Sequence, residues 1–343
     1  MAERNPAIGR GFSVGISRHT SQRMLLLCLF CLLAVLQSSL GDSGASISVA
    51  LAAGAAAVVS ELMVSYRRYG FSKVADSSAA ASALILTLLL PNHINPLHAA
   101  FGAAFAVLVV KQSFGGIGSN FLNPALGGWL FVRLCWPGSF ADGPGASGMA
   151  EALLPETASA ADTAVRELLN GSILAPFGAW IPPGYVDLFW NPVGGIIADR
   201  AVLTLVLWAA VVFAFRAGRW WTSLTYLAVF ALLSRLLGGL AEGGELWSGD
   251  LLLSLLSGGT LVTAFILLLE PASSARSVPA SLVLAVLAAV LSVLFRFSGG
   301  QLYGAFFALA LVNALGPAFA SLERFLLFVP YGKAPRNGGR KWT

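Results

Sequence analysis

The sequence predicts an all-α, polytopic integral membrane protein with about ten transmembrane helices in two inverted five-helix repeats. The first observation is composition: 57% of the 343 residues are hydrophobic and only 11% are charged, whereas soluble chains average about 25% charged residues. The second observation is the spacing of long apolar segments along the chain. The third is the side of the membrane on which positive charges fall.

Apolar segments of about 20 residues are needed to cross the hydrocarbon core of a bilayer. Two candidates, 77–91 and 120–136, are shorter than this and predict broken or tilted helices. The predicted spans are residues 24–40, 45–64, 77–91, 97–112, 120–136, 194–214, 220–240, 251–269, 279–297 and 301–321.

The distribution of lysine and arginine predicts the orientation, because these residues collect in cytoplasmic segments. With the N-terminus inside, most of the 21 basic residues fall in inside segments, including 1–23 and 322–343, and acidic residues dominate the outside loops. We therefore expect a multi-pass protein of the cell inner membrane with both termini cytoplasmic. The net charge of +5 then reflects topology and predicts no nucleic-acid partner.

A long segment predicted to lie outside, residues 137–193, separates a first half (24–136) from a second half (194–321). Five spans in each half would invert the second half relative to the first, as in many transport folds. A faint echo supports a repeat, because Lys111…Phe114-Gly-Gly…Asn123-Pro-Ala-Leu-Gly resembles Arg296-Phe-Ser-Gly-Gly…Asn313-Ala-Leu-Gly. The alternative is that glycine, alanine and leucine recur by chance in any membrane chain.

The segment between the fourth and fifth spans is rich in glycine and asparagine. Irregular backbone at membrane depth survives only where it faces protein or lines a cavity, so the segment predicts part of a site. A phosphate-binding loop is a poor alternative, because the Gly-Lys-Ser/Thr ending and the strand-to-helix context are missing. The segment reads Phe114-Gly-Gly-Ile-Gly-Ser-Asn-Phe-Leu-Asn-Pro-Ala.

This segment resembles the FGG-x-G-x-N-x-x-NPA signature of the NqrB/RnfD family, the membrane subunits of ion-pumping, flavin-containing electron transport complexes. The block that runs from Ser257-Gly-Gly-Thr to Glu270-Pro-Ala is similar to a second family block, and the chain length resembles the RnfD branch. The resemblance implies a membrane subunit of an ion-translocating (Na⁺ or H⁺) Rnf-type complex that hosts flavin, rather than a stand-alone enzyme. Its implied partners are the other subunits and membrane lipid. The alternative function is a solute channel or secondary transporter on the same inverted scaffold.

The resemblance also implies FMN, which family members link through its phosphate to a threonine in a D-x-x-[ST]-x-A-T segment of the outside loop. Here residues 156–163 read Glu-Thr-Ala-Ser-Ala-Ala-Asp-Thr, so Asp162 stands at the acceptor position and Thr163 lies one residue late. A carboxylate cannot form the same phosphoester. Either the covalent FMN is absent, or Thr163 carries it in an altered motif; bound riboflavin is a further expectation of the resemblance.

A noncovalent flavin is expected between the halves, near the glycine-rich motif. The candidate cofactor-binding residues, together with Thr163, are Gly115, Gly116, Gly118, Asn120, Asn123, Ser257 and Thr260. For Ser257 and Thr260, small size is expected to permit close helix packing or backbone approach to a ring.

Ionisable residues inside spans are functional candidates, because they are costly to place in a membrane. Glu61 and Glu270 are expected to contact the translocated cation. Arg235 and Arg296 are instead expected to extend towards the lipid headgroups. No nucleophilic triad is recognisable, and two outside histidines lack a third ligand, so no catalytic or metal residue is predicted.

Overall fold

The structure is a computed structural model that describes residues 18–41, 44–69, 77–113, 120, 122–140, 158–178, 180–189, 195–215, 219–241, 244–269, 278–298 and 303–326. Within these residues the chain is helical, and extended pairing is limited to one isolated antiparallel bridge between Pro91 and Ile196. The predicted all-α class is therefore confirmed.

In the described part of the first half there are five α-helices. Asparagine-proline pairs begin the fourth and fifth of them, as expected of a capping side chain followed by proline at the first helical position. The Asn95 side chain accepts a hydrogen bond from the Leu97 amide (2.9 Å), and α4 continues as a π-helical turn over Ala106–Lys111. The helices are α1 (Arg18–Ser39), α2 (Ala45–Tyr69), α3 (Ser78–Leu89), α4 (Pro96–Phe105) and α5 (Pro124–Cys135).

The outside segment and the second half contain seven further helices among the described residues. A 3₁₀ turn over Ile197–Ala201 precedes α7, and a π-helical turn over Thr263–Leu267 follows α10. The helices are α6 (Ala160–Leu168), α7 (Val202–Ala214), α8 (Trp220–Ala241), α9 (Leu251–Leu256), α10 (Thr260–Val262), α11 (Val278–Ser298) and α12 (Gly304–Leu326).

Four described segments are long and apolar enough to cross a membrane, namely Ala45–Arg67, Ile197–Ala214, Trp220–Leu240 and Val278–Phe297, and five shorter apolar helices accompany them. The short helix α3 is about 18 Å long, and almost all of its 12 residues are buried. It is therefore enclosed by neighbouring helices rather than lipid. The count of ten spans, the inversion of the halves and the predicted domain boundaries stay predictions.

One helix pairing recurs in both halves: α2 packs along α4 in the first, and α8 packs along α11 in the second. The halves meet where α1 packs against the 3₁₀ turn and α7. There the Gln37 amide accepts hydrogen bonds from the Thr204 amide (2.9 Å) and hydroxyl (2.6 Å) and donates to the carbonyl oxygens of Phe189 and Arg200. Partly buried polar bonds thus join the two halves.

Candidate functional site

Two residues of the glycine-rich motif that were predicted to bind a cofactor are buried. Asn120 is 5% exposed and Asn123 is 2% exposed. The Asn123 side chain accepts hydrogen bonds from the amides of Ala125 (2.8 Å) and Leu126 (3.2 Å). Asn123 is therefore the N-terminal cap of α5. The predicted cofactor residues Gly115, Gly116 and Gly118 lie outside the described residues.

The helix that follows the motif packs closely on its neighbours and reaches the second half. A Cβ atom on Gly128 would lie 2.7 Å from the Gly102 carbonyl oxygen, so α4 and α5 approach through small residues. The Trp129 ring meets Phe307 and Phe306 edge-on, with centroids 5.0 and 5.1 Å away. Its buried indole nitrogen has no hydrogen-bond partner among the described residues. A buried donor of this kind is rare and calls for an explanation.

Glu61 belongs to a buried polar cluster, here called the first-half cluster, that contains Glu61, Ser65, Ser78 and Lys111. The Lys111 ammonium lies 3.0 Å from a Glu61 carboxylate oxygen and donates to the Ser78 hydroxyl at 2.6 Å. Ser65 donates to the other Glu61 oxygen at 3.5 Å. Lys111 is 2% and Glu61 7% exposed, so the predicted cation ligand is already paired with a positive charge.

A second buried polar cluster, the second-half cluster, consists of Asp199, Ser257, Gly258, Gly259, Thr260 and Arg296. The Asp199 carboxylate accepts hydrogen bonds from the amides of Gly258 (3.1 Å) and Gly259 (3.0 Å). It also accepts a longer bond from the Ile196 amide, at 3.4 Å. Asp199 thereby ties the 3₁₀ turn before α7 to the bend between α9 and α10.

Arg296 completes the second-half cluster from α11. Its guanidinium donates to the carbonyl oxygens of Ser254 (3.0 Å) and Ser257 (3.1 Å) and to the hydroxyls of Ser257 (2.6 Å) and Thr260 (3.3 Å). It also lies over the Phe230 ring, 5.9 Å from the centroid. The expectation that Arg296 extends towards headgroups is wrong, because the side chain is 1% exposed. Arg235 is exposed and donates to the Gly249 carbonyl at 2.8 Å.

The bend between α9 and α10 places backbone groups within reach of Asp199 and Arg296. Gly258 and Gly259 have φ angles of +67° and +70°, a region that side chains with a Cβ rarely adopt. A Cβ on Gly259 would overlap the Phe306 ring, the same ring that contacts Trp129. The structure therefore links the two sequence blocks, through Trp129, Phe306 and Gly259.

Asp162, at the position of the expected acceptor threonine, is fully buried at the start of α6. Its carboxylate accepts a hydrogen bond from the Val186 amide (2.9 Å) and lies 3.4 Å from the Arg166 Nε atom. The Thr163 hydroxyl donates to the Ser159 carbonyl of its own helix at 3.2 Å. Asp162 thus holds α6 against the segment before Asp187, while Thr163 points elsewhere.

Ser159 and Asp187 strengthen this attachment. The Ser159 amide and hydroxyl donate to the two Asp187 carboxylate oxygens at 2.9 and 2.6 Å, and its hydroxyl oxygen accepts from the Asp162 amide. Nearby, the Tyr185 hydroxyl donates to Asp250 at the start of α9. Burial raises the pKa of the Asp250 carboxyl, while hydrogen bonds from the Leu253 and Leu252 amides and the positive charge of Arg296 act in the opposite direction.

The sequence analysis did not predict that Lys111 and Arg296, the positively charged residues of the two clusters, are buried. The signal was present, because the echo aligned Lys111 with Arg296, each followed by a phenylalanine and paired glycines. Both side chains bond a serine in or beside a shorter helix of their own half, Ser78 or Ser257. Glu270, the other predicted cation ligand, lies outside the described residues.

Comparison with known proteins agrees with the resemblance seen in the sequence. The D subunit of an ion-translocating oxidoreductase complex of Salmonella arizonae is 27% identical over 340 residues, covering 88% of this chain and 92% of that protein. The D subunit of the proton-translocating ferredoxin:NAD(+) oxidoreductase complex of Clostridium ljungdahlii is 25% identical over 278 residues, 81% of each chain. The D subunit of the Na(+)-translocating complex of Acetobacterium woodii is 27% identical over 261 residues, 76% of this chain and 74% of that one.

The model of the NQR2, RnfD, RnfE family matches residues 14–325. This match extends through the first-half cluster, the outside segment and the second-half cluster. The chain is therefore a multi-pass membrane protein, and it belongs to the NQR2, RnfD, RnfE family.

Proposed function

We propose that this chain is the RnfD component of an Rnf-type complex that couples electron transfer from ferredoxin to NAD⁺ with the movement of Na⁺ or H⁺ across the membrane. The observation that carries the proposal is the nearly full-length similarity to proteins named as the D subunit of such complexes, with 88% of this chain and 92% of the relative covered. The other subunits of the complex would be its partners. The excess of basic residues in the predicted inside segments supports a place in the inner membrane with both termini cytoplasmic.

Covalent FMN does not fit the outside segment of this chain. The residue at the acceptor position is Asp162, whose carboxylate is occupied by the Val186 amide and Arg166. We propose that Asp162 has a structural role and that the FMN expected from the family resemblance is not attached to this segment. Mass spectrometry of a peptide spanning residues 158–166 is expected to show an unmodified mass, and a flavin mass on Thr163 would overturn this part of the proposal.

We propose instead that a noncovalent flavin, FMN or riboflavin, binds at the interface between the halves. Within the described part of the chain the buried Trp129 indole N–H lacks a partner, and it lies beside Phe306 and Phe307 at the meeting of α5 and α12. An isoalloxazine ring offers carbonyl oxygens to such a donor and an apolar edge to aromatic side chains. Asn120 and Asn123 precede the same helix. Bound there, a flavin would supply one-electron chemistry.

The test is affinity purification of the full-length chain from its own membrane. Copurification of other Rnf-type subunits, with ferredoxin-dependent NAD⁺ reduction by the preparation, is the expected result. Release of flavin on denaturation is expected from the wild type and reduced release from Trp129→Phe, which keeps an aromatic ring but removes the donor. A colourless preparation would refute the flavin site. Solute flux through the isolated chain in liposomes, without partners, would favour the channel or transporter instead.

Replacing Asp162 by alanine is expected to loosen the outside segment, because the Val186 amide and Arg166 lose a charged acceptor. Such a loss costs about 1.5–3 kcal/mol, so hydrogen exchange of peptides within 158–189 should accelerate about 10–100-fold. Glu167→Ala is the matched control, since this acidic residue of the same helix is exposed. Equal exchange in both variants would contradict the structural role of Asp162.

A further inference from the structure

Helix α6 of the predicted outside segment turns part of its polar side towards the protein and its apolar side away from it. Successive residues of an α-helix are rotated by about 100°, so the apolar residues of α6 fall on one arc and the polar residues on the other. Asp162, on the polar arc, is fully buried, whereas Leu168, on the apolar arc, is 61% exposed. A helix on a water-covered surface has the opposite orientation. The apolar arc consists of Ala161, Ala164, Val165 and Leu168, and all four are exposed.

We propose that the apolar arc of α6 lies in the lipid headgroup region of the membrane, in the leaflet next to the predicted outside segment. Amphipathic helices of this kind rest in the plane of the membrane, with the apolar face about 5–10 Å inside the boundary between headgroups and acyl chains. The occupant of the exposed face is therefore lipid. The inference goes beyond the proposed function, because it holds whichever ion or electron carrier the protein handles.

Hydrogen bonds fix the orientation of α6, so the helix cannot rotate to hide its apolar arc. Asp162 accepts from the Val186 amide on the side of the protein. Immediately after α6, the Asn170 side chain donates to the Ile181 carbonyl oxygen at 3.0 Å and accepts from the Ile181 amide at 2.9 Å. Turning the apolar arc inwards would break the Asp162 bond and bury apolar groups against polar ones.

The apolar surface continues beyond α6. The side chain of Ile173 is 52% exposed and that of Trp180 is 64% exposed. Trp180 directly precedes Ile181, which Asn170 holds at the end of α6. Tryptophan is enriched where membrane meets water, because its ring is apolar and its N–H is polar. The exposed indole therefore fits a headgroup region better than it fits bulk water.

This surface adjoins the end of a membrane helix. The Tyr185 hydroxyl donates to Asp250, and Asp250 caps α9, the start of the predicted span 251–269. Leu252 on α9 is 40% exposed, and Trp247, three residues before Asp250, is 55% exposed. The apolar surface of the outside segment thus lies beside residues at the boundary of the bilayer. This continuity favours lipid as the occupant over a separate protein domain.

The backbone of Trp247 supports the same location. Its φ angle is +71°, and it is the one non-glycine residue with a positive φ in the part of the chain that the structure describes. Such strain persists only where the surroundings impose it. Insertion of the exposed indole ring among headgroups would offset part of the strain.

The experiment measures the depth of a nitroxide spin label on the full-length chain in lipid nanodiscs. The label is attached to Leu168→Cys after the native cysteines are replaced by alanine, and its collisions with oxygen and with a water-soluble nickel chelate are measured by electron paramagnetic resonance. Oxygen is concentrated in lipid and the chelate in water. We expect the oxygen-to-chelate ratio to be severalfold higher for Leu168→Cys than for Glu167→Cys. Glu167→Cys is the matched control, because Glu167 is exposed on the polar arc of the same helix.

Two results would overturn the proposal. Equal access of the chelate to the labels at positions 167 and 168 would mean that the apolar arc lies in water. Shielding of position 168 from both reagents only when other subunits copurify would mean that a protein covers it. Because the first measurement uses the isolated chain, its failure is distinguishable from failure of the chain to copurify with an Rnf-type complex.

A second measurement covers a cysteine-free chain that does not fold. The photoreactive residue p-benzoylphenylalanine is then placed at position 168 or 167 of the otherwise unchanged protein and irradiated in its own membrane. Mass spectrometry is expected to show lipid adducts at position 168 and severalfold fewer at position 167. Adducts of position 168 with another protein, or equal lipid labelling at the two positions, would contradict the proposal.

Discussion

Replacing Arg296 by methionine is expected to lower the free energy of unfolding by about 3–5 kcal/mol, the range for removing one member of a buried charged network. The guanidinium is 1% exposed and donates to two carbonyl oxygens and two hydroxyls in and beside the bend between α9 and α10. Methionine fills similar volume but donates nothing, so these acceptors stay buried without this donor. Asp199 also loses the positive charge nearby.

The measurement is the thermal midpoint of the purified chain in detergent, where a loss of this size lowers the midpoint by about 4–7 °C. Arg235→Met is the matched control, because Arg235 is exposed and donates only to the Gly249 carbonyl among the bonds described. Its midpoint should change by a small fraction of that value. Arg296→Lys should give an intermediate loss, since an ammonium cannot reproduce the forked set of bonds. Equal midpoints for Arg296→Met and Arg235→Met would contradict the role assigned to Arg296.

The helices could be predicted from the sequence because apolar length and start signals are local properties. The segments 45–64, 220–240 and 279–297 correspond to α2, α8 and α11. Asn123-Pro marks the start of α5, in agreement with capping chemistry. The short segment 77–91 predicted a broken or tilted helix; the structure shows the short helix α3, enclosed by protein.

The charged clusters could not be predicted in the same way, because they depend on contacts between distant parts of the chain. Lys111 and Glu61 are 50 positions apart, and Arg296 and Ser257 are 39 apart. Headgroup contact was a reasonable expectation for Arg296 near the end of a span. Only the packing of α11 against α8 and the bend shows that protein oxygens, rather than lipid, surround it.

The predicted span 251–269 shows a further limit of local reasoning. Hydropathy treats it as one helix, but the structure divides it into α9, a bend and α10 with its π-helical turn. The bend is stable because Asp199 accepts the Gly258 and Gly259 amides, which a continuous helix would have bonded internally. A carboxylate 59 positions earlier in the chain thus changes the local structure, and no window around Ser257 contains it.

A second large effect is expected at this bend, where Gly259→Ala should cost about 2–5 kcal/mol, combining overpacking with backbone strain. The added methyl would overlap one atom of the fully buried Phe306 ring, and it would lie 2.7 Å from another and 3.1 Å from Ile196. Displacing a packed ring costs about 1–3 kcal/mol. A φ of +70° adds about 1–2 kcal/mol for a residue with a Cβ. The measurement is again the thermal midpoint in detergent.

Gly178→Ala separates the two causes, because Gly178 has a similar φ of +63° but open space where its Cβ would lie. It should lose only the conformational part, about 1–2 kcal/mol, and the difference between the variants measures the contact with Phe306. Phe306→Leu in the Gly259→Ala background should recover part of the loss, since the smaller side chain gives the methyl room. If the Gly259→Ala and Gly178→Ala variants unfold at the same temperature, contact with Phe306 of α12 does not destabilise Gly259→Ala. The connection from Trp129 through Phe306 to the second-half cluster would then carry no energetic coupling between the halves.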